Sequence, residues 1–109
     1  MANKKIIKKK YPAGVSYEER LLQELQDPEE ARAYLNAALQ EEDPRLLLLA
    51  LKHVVAAQKN LTLITRRAKI DQERLTKLLS SRGEPKLFSL LPVLHAMGLN
   101  LSFEPNSRK

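Results

Sequence analysis

Gln72, Glu73, Arg74, Thr76 and Lys77 put five polar side chains into six consecutive residues of a short helical pattern. Leu75, Leu78 and Leu79 give that pattern one apolar edge, so the polar set is left facing outward. Side chains of this kind on one helix face can reach base edges and phosphate oxygens. They suit recognition better than bond breaking. Groups suited to catalysis are few. His53 and His95 lie about forty residues apart, with no cysteine and no metal-ligand spacing beside them, and read as ordinary surface or boundary side chains. Glu18 with Glu19, Glu29 with Glu30, and Glu41 with Glu42 fall in first helical turns or at a helix end, where carboxylates complement exposed N–H groups or meet solvent. There is no glycine-rich phosphate loop and no serine set beside a base. The expectation is a binding protein that is not an enzyme, with no cofactor and no metal site.

The elements that must hold the polar face lie in Leu61 to Ser80, LTLITRRAKIDQERLTKLLS. This reads as two short helices hinged at Lys69 to Asp71, the spacing of a helix-turn-helix whose second helix is offered to the major groove. Leu61, Ile64 and Ala68 mark the inward side of the first helix, and Ile70 fills the turn. Thr62 and Asp71 each stand one residue before a helical run and are the expected N-caps. Any helical hairpin could show the same apolar spacing, so the pattern alone leaves DNA binding and a solvated basic face evenly matched.

The rest of the chain supports this stretch. Residues 1–15 read as a basic arm without periodicity, either solvated or touching phosphates, with Ile6 and Ile7 available to dock on a partner. Ser16 with Glu19 forms a capping box ahead of Tyr17, Leu21, Leu22 and Leu25. Asp27 and Pro28 open a second helix carrying Ala31, Tyr34, Leu35, Ala38 and Leu39, so that 16–42 should be an antiparallel hairpin. Asp43 and Pro44 open a third, RLLLLALKHVVAAQ, apolar on more than one face. There Leu47, Ala50, Leu51 and Val54 are expected to face the helix-turn-helix, and Leu48 and Val55 the hairpin. After a connection at Ser81 to Glu84, Pro85 should begin a helix burying Leu87, Leu91, Leu94 and Met97 and ending at Gly98. LNLSFE over 99–104 alternates as a strand does, and is expected to pair with its copy in a homodimer or with another protein; the plainer alternative is an extended tail packed on its own domain.

With 109 residues, no cysteine and no apolar run long enough to span a membrane, the chain reads as one cytoplasmic domain over 16–109. Three glycines and no tryptophan, with many helix formers, point to an all-α protein. Its net charge of +6 is unevenly spread. Residues 1–10 hold five lysines and no acid, residues 16–45 hold nine acids against three arginines, and residues 58–82 hold seven cations against Asp71 and Glu73. An acidic half beside a basic half suggests two different partners.

From Ser16 to Pro105 the chain resembles the addiction-module antidote proteins of bacteria and prophages. The likeness is carried by SYEERLLQELQDPEEARAYLNAAL at Ser16 to Leu39, DPRLLLLAL at Asp43 to Leu51, and IDQERLTKLLSSRGEPKLFSLLPVLHAMGLNLSFEP at Ile70 to Pro105. The resemblance implies an antitoxin with a Cro/repressor-like helix-turn-helix bundle over 43–98, an N-terminal helical hairpin and a short C-terminal strand. It places Gln72, Glu73 and Lys77 nearest the bases, able to contact adenine, cytosine and guanine respectively. Thr62, Arg66, Arg74, Thr76 and Arg82 become candidate phosphate contacts. The implied partners are operator DNA, bound by a homodimer, and a small basic RelE/HigB-like toxin. Thr65 stands where the family has a small residue, and Lys69 and Asn60 where it has glycine. Lys69 should cost about 1 kcal/mol if the glycine geometry is kept, whereas asparagine enters the left-handed region more readily. Two other readings stay open: an interaction module that has lost DNA binding, and a stand-alone prophage regulator without a toxin.

Overall fold

The computed structural model describes residues 14–80 and 84–106, and among these the structure is wholly helical. The six helices are α1 (Tyr17–Glu24), α2 (Pro28–Gln40), α3 (Pro44–Ala57), α4 (Leu61–Ala68), α5 (Gln72–Leu78) and α6 (Leu87–Ala96). Residues 1–13 of the basic arm, and Arg82, lie outside the described residues.

The first three helices start where their caps dictate. Ser16 Oγ accepts from the Glu19 amide at 3.1 Å while Glu19 Oε1 accepts from the Ser16 amide at 3.1 Å, which completes the capping box. Asp27 and Asp43 each accept at 3.0 Å from the amide two residues on, with proline in the first turn where no N–H is missed. Glu30, expected in a first turn facing N–H groups or solvent, is instead buried, as is Glu24 at the end of α1. Tyr17, assigned to the apolar face of α1, is instead 72% exposed.

Leu25, Leu35, Leu48, Leu51, Val54, Ile64, Leu75, Leu79, Leu90 and Val93 belong to one continuous core. α1 and α2 both pack on α3, and α4 packs on α6. The expected hairpin is thus closed through α3 more than between α1 and α2. Where Tyr34 meets His53 of α3, its hydroxyl lies 2.7 Å from the ring Nδ1. Burial, with a smaller contribution from Tyr17, holds the Tyr34 phenol above its ordinary pKa.

Leu47 and Leu51 line a groove with Leu35 of α2 and Leu90 of α6, and Val55 lines a second cleft with Leu61 and Leu75 of the α4–α5 pair. Two expectations are corrected. α6 starts at Leu87, two residues beyond Pro85, and buries Leu90, Val93 and Ala96; Leu87 is 48% exposed. Apolar residues run all round this helix, so spacing could not choose its inner face.

The second correction is the strand: residues 99–106 form none, because the single chain offers no neighbouring edge to complete a ladder. Phe103 is 94% exposed and Leu101 is 42% exposed. The end of α6 is as expected. Gly98 takes φ +80°, and the Leu99 amide reaches the Leu94 carbonyl at 2.9 Å while the Gly98 amide reaches that of His95 at 3.0 Å, a complete Schellman closure.

Candidate nucleic-acid interface

The polar face is positioned by a second closure of the same kind. At the end of α4 the Ile70 amide donates to the Thr65 carbonyl at 3.1 Å and the Lys69 amide to that of Arg66 at 3.2 Å. The residue in the glycine place is Lys69, held at φ 61° and ψ 39°. The turn geometry has therefore been kept and the lysine bears its strain, since an L side chain in the left-handed region crowds the following carbonyl. Asp71 then restarts the helix, its Oδ1 accepting from the Arg74 amide at 2.7 Å. Ile64, Ala68, Leu75 and Leu79 anchor the pair in the core, and Ile70 and Leu78 pack against it.

With that edge held down, Gln72, Glu73, Arg74, Thr76 and Lys77 all lie exposed on α5. Arg66 is exposed on α4, in the last turn beside Arg67, where both cations complement the carbonyl end of the helix. Thr62 is exposed too, but it does not cap α4. Asn60 does, accepting from the Leu63 amide at 3.0 Å with φ −123°. Asn60 therefore fills its usual glycine position as a cap, without entering the left-handed region. The Thr76 hydroxyl donates to the Gln72 carbonyl at 3.0 Å. To donate to a phosphate it must first give up that bond.

One neighbour was invisible in the sequence. Lys52 of α3 lines a shallow cleft of about 430 Å³ together with Leu61, Gln72 and Thr76. It brings a further exposed cation to the side of α5. No local pattern links residues twenty positions apart on different helices, so only the fold brings them together. Among the described residues no group of His, Cys, Asp and Glu could hold a metal ion, and no single helix is long and apolar enough to cross a membrane.

A family model described as "Probable addiction module antidote protein" matches residues 18–105. The chain belongs to this antidote family. A relative from Haemophilus influenzae (strain Rd), described only as an uncharacterized protein, is 40% identical over 80 residues, covering 73% of this chain and 79% of its own length. No solved structure matches the chain at a significant level. An antidote is defined by the toxin that it counters, so membership implies a toxin partner, and antidotes of addiction modules are not normally enzymes.

Proposed function

We propose that this antidote is a DNA-binding antitoxin that neutralises a RelE/HigB-like toxin and represses its own operon. The observation that carries the DNA half is the outward face of α5, whose polar residues are all exposed while Leu75, beneath them, is buried. Gln72, Glu73 and Lys77 read the bases and Arg66, Arg74, Thr62 and Thr76 hold phosphates, each well-placed base contact contributing about 1–3 kcal/mol of discrimination. Arg82, outside the described residues, belongs to the same phosphate-contacting set by its place in the sequence. The toxin half rests on family membership and on the exposed acids Glu18, Glu19, Glu29, Glu41 and Glu42 of the N-terminal half, which complement a small basic protein. A homodimer with recognition helices about 34 Å apart would read an inverted repeat.

The test is a gel shift on the module's own upstream region at two salt concentrations, using the unmodified protein and Gln72→Ala with Lys77→Ala. The expected result is a salt-sensitive, sequence-selective shift that the double variant loses while still neutralising the toxin. No shift by the unmodified protein, with or without toxin, would refute the DNA half and leave an interaction module. A selective shift by a protein that captures no toxin from the adjacent gene would refute the toxin half.

A further inference from the structure

From Pro44 to Ile70 the chain has no acid, while Arg45, Lys52, Lys59, Arg66, Arg67 and Lys69 supply six cations. Of these, Lys52 lines the cleft of about 430 Å³ between α3 and α5, and among the described residues it is the one charged member of that lining. Gln72 and Thr76, one turn apart, form the α5 edge of the cleft. Lys52 and Ala56, also one turn apart, form the facing edge of α3. Glu73, Arg74 and Lys77 do not line the cleft and belong to the other side of α5. Two of the polar neighbours are already engaged: Gln58 Nε2 donates to the Val54 carbonyl at 3.0 Å, and the Thr76 hydroxyl to that of Gln72 at 3.0 Å. Lys52 is exposed and, among the described residues, pairs with no acid.

A helix seated in the major groove has little room on either side. The groove is roughly 12 Å wide, and a helix with its side chains is about 10–12 Å across. Each edge of α5 would therefore come close to one sugar-phosphate backbone, and whatever flanks that edge must accept the backbone or collide with it. At the Gln72–Thr76 edge the flanking element is α3, which offers one ammonium group and one methyl group there, both on exposed residues. A carboxylate at either place would repel the strand. From this arrangement, and resting on the reading of α5 as the base-reading helix, we infer that the α3–α5 cleft receives the backbone of one DNA strand. Lys52 holds a phosphate beside the base that Gln72 reads, and the small side chain of Ala56 lets the sugar-phosphate chain approach. The other strand falls to Arg74, across α5. On this assignment α3 is part of the interface as well as its support, and Lys52 adds one released counterion to the binding equilibrium.

The test uses the full chain and a DNA fragment from the module's own upstream region. Lys52→Gln keeps a polar side chain and removes the charge. It should weaken binding to operator and unrelated DNA alike, lower the slope of log K against log salt by about one, and erase ethylation interference at one phosphate per half-site. Arg74→Gln should erase interference at a different phosphate, on the opposite strand. Ala56→Glu should bind roughly tenfold or more weakly than its isostere Ala56→Gln, because only the first sets a like charge against the backbone. Both positions are exposed, so circular dichroism and the urea midpoint should not move. Arg32→Gln, which removes an exposed cation from α2, is the control for net charge. An operator shift by the unmodified protein, with slope and interference unchanged in Lys52→Gln, would overturn this inference and leave the DNA reading standing. So would an equal loss in Arg32→Gln, or equal binding by the two Ala56 variants. No shift by the unmodified protein, with or without toxin, would remove both readings together.

Discussion

Replacing Lys69 with glycine relieves one backbone conformation and little else. The side chain is exposed, so its loss removes little packing, and the turn bonds from Ile70 and Lys69 are made by the main chain. At φ 61° an L residue costs about 1–2 kcal/mol. Glycine removes that cost but returns about 0.4–1 kcal/mol through the greater freedom of its unfolded chain. The net gain should be about 0.5–1 kcal/mol, or roughly 2–5 °C in Tm for a domain of this size. Lys69→Ala is the control, because it removes the same charge and leaves the strain. Urea titrations of all three proteins under one buffer should rank glycine above lysine, with alanine close to lysine. Glycine no more stable than alanine would refute the claim that the turn stores strain.

Arg66→Gln and Arg74→Gln should each weaken operator binding across sequences and lower the slope of log K against log salt by about one, measured by titration at several salt concentrations. Tyr34→Phe removes the hydrogen bond to His53 and should cost about 1 kcal/mol at neutral pH. Because the folded state raises the Tyr34 pKa, the stabilisation of its neutral form is complete below pH 10 and is lost as pH rises through the folded value. Urea titrations from pH 7 to 11 should therefore show an alkaline decline that is shallower in Tyr34→Phe. Leu48→Ala empties a site with no solvent exposure and should cost about 3–5 kcal/mol in the same assay, a large part of a small domain's stability.

The sequence was most legible where a side chain acts on its own backbone. Ser16, Asp27, Asp43 and Asp71 all cap the helices that their positions announced, because such caps are decided within three residues. The cap of α4 was misplaced because Asn60 and Thr62 are both competent, and the first closed turn, at Leu61, chooses between them. The faces of α3 and α6 were harder, since leucines surround both helices and only the neighbours' positions select which are covered. Alternation at Leu99, Leu101 and Phe103 signalled an extended segment but could not supply the edge that makes it a strand. In the candidate interface, the outward set on α5 followed from the one apolar edge at Leu75, Leu78 and Leu79. Lys52 could not be read, as it reaches that set only through tertiary packing.

The position of α3 limits how this protein can change over generations. It packs on α1 and α2, its Leu47 and Leu51 line a groove with α6, and its buried residues belong to one core with those of α4, α5 and α6, so the acidic and basic halves share a single buried surface. An exchange of genetic material near Asp43 would join α3 to helices that its side chains do not fit. If α5 reads an operator and the N-terminal half meets a toxin, as proposed above, a lineage that must match a new partner can do so most cheaply by altering exposed residues of α1, α2 or α5 one at a time. Wholesale replacement of either half would require α3 to be refitted in the same step.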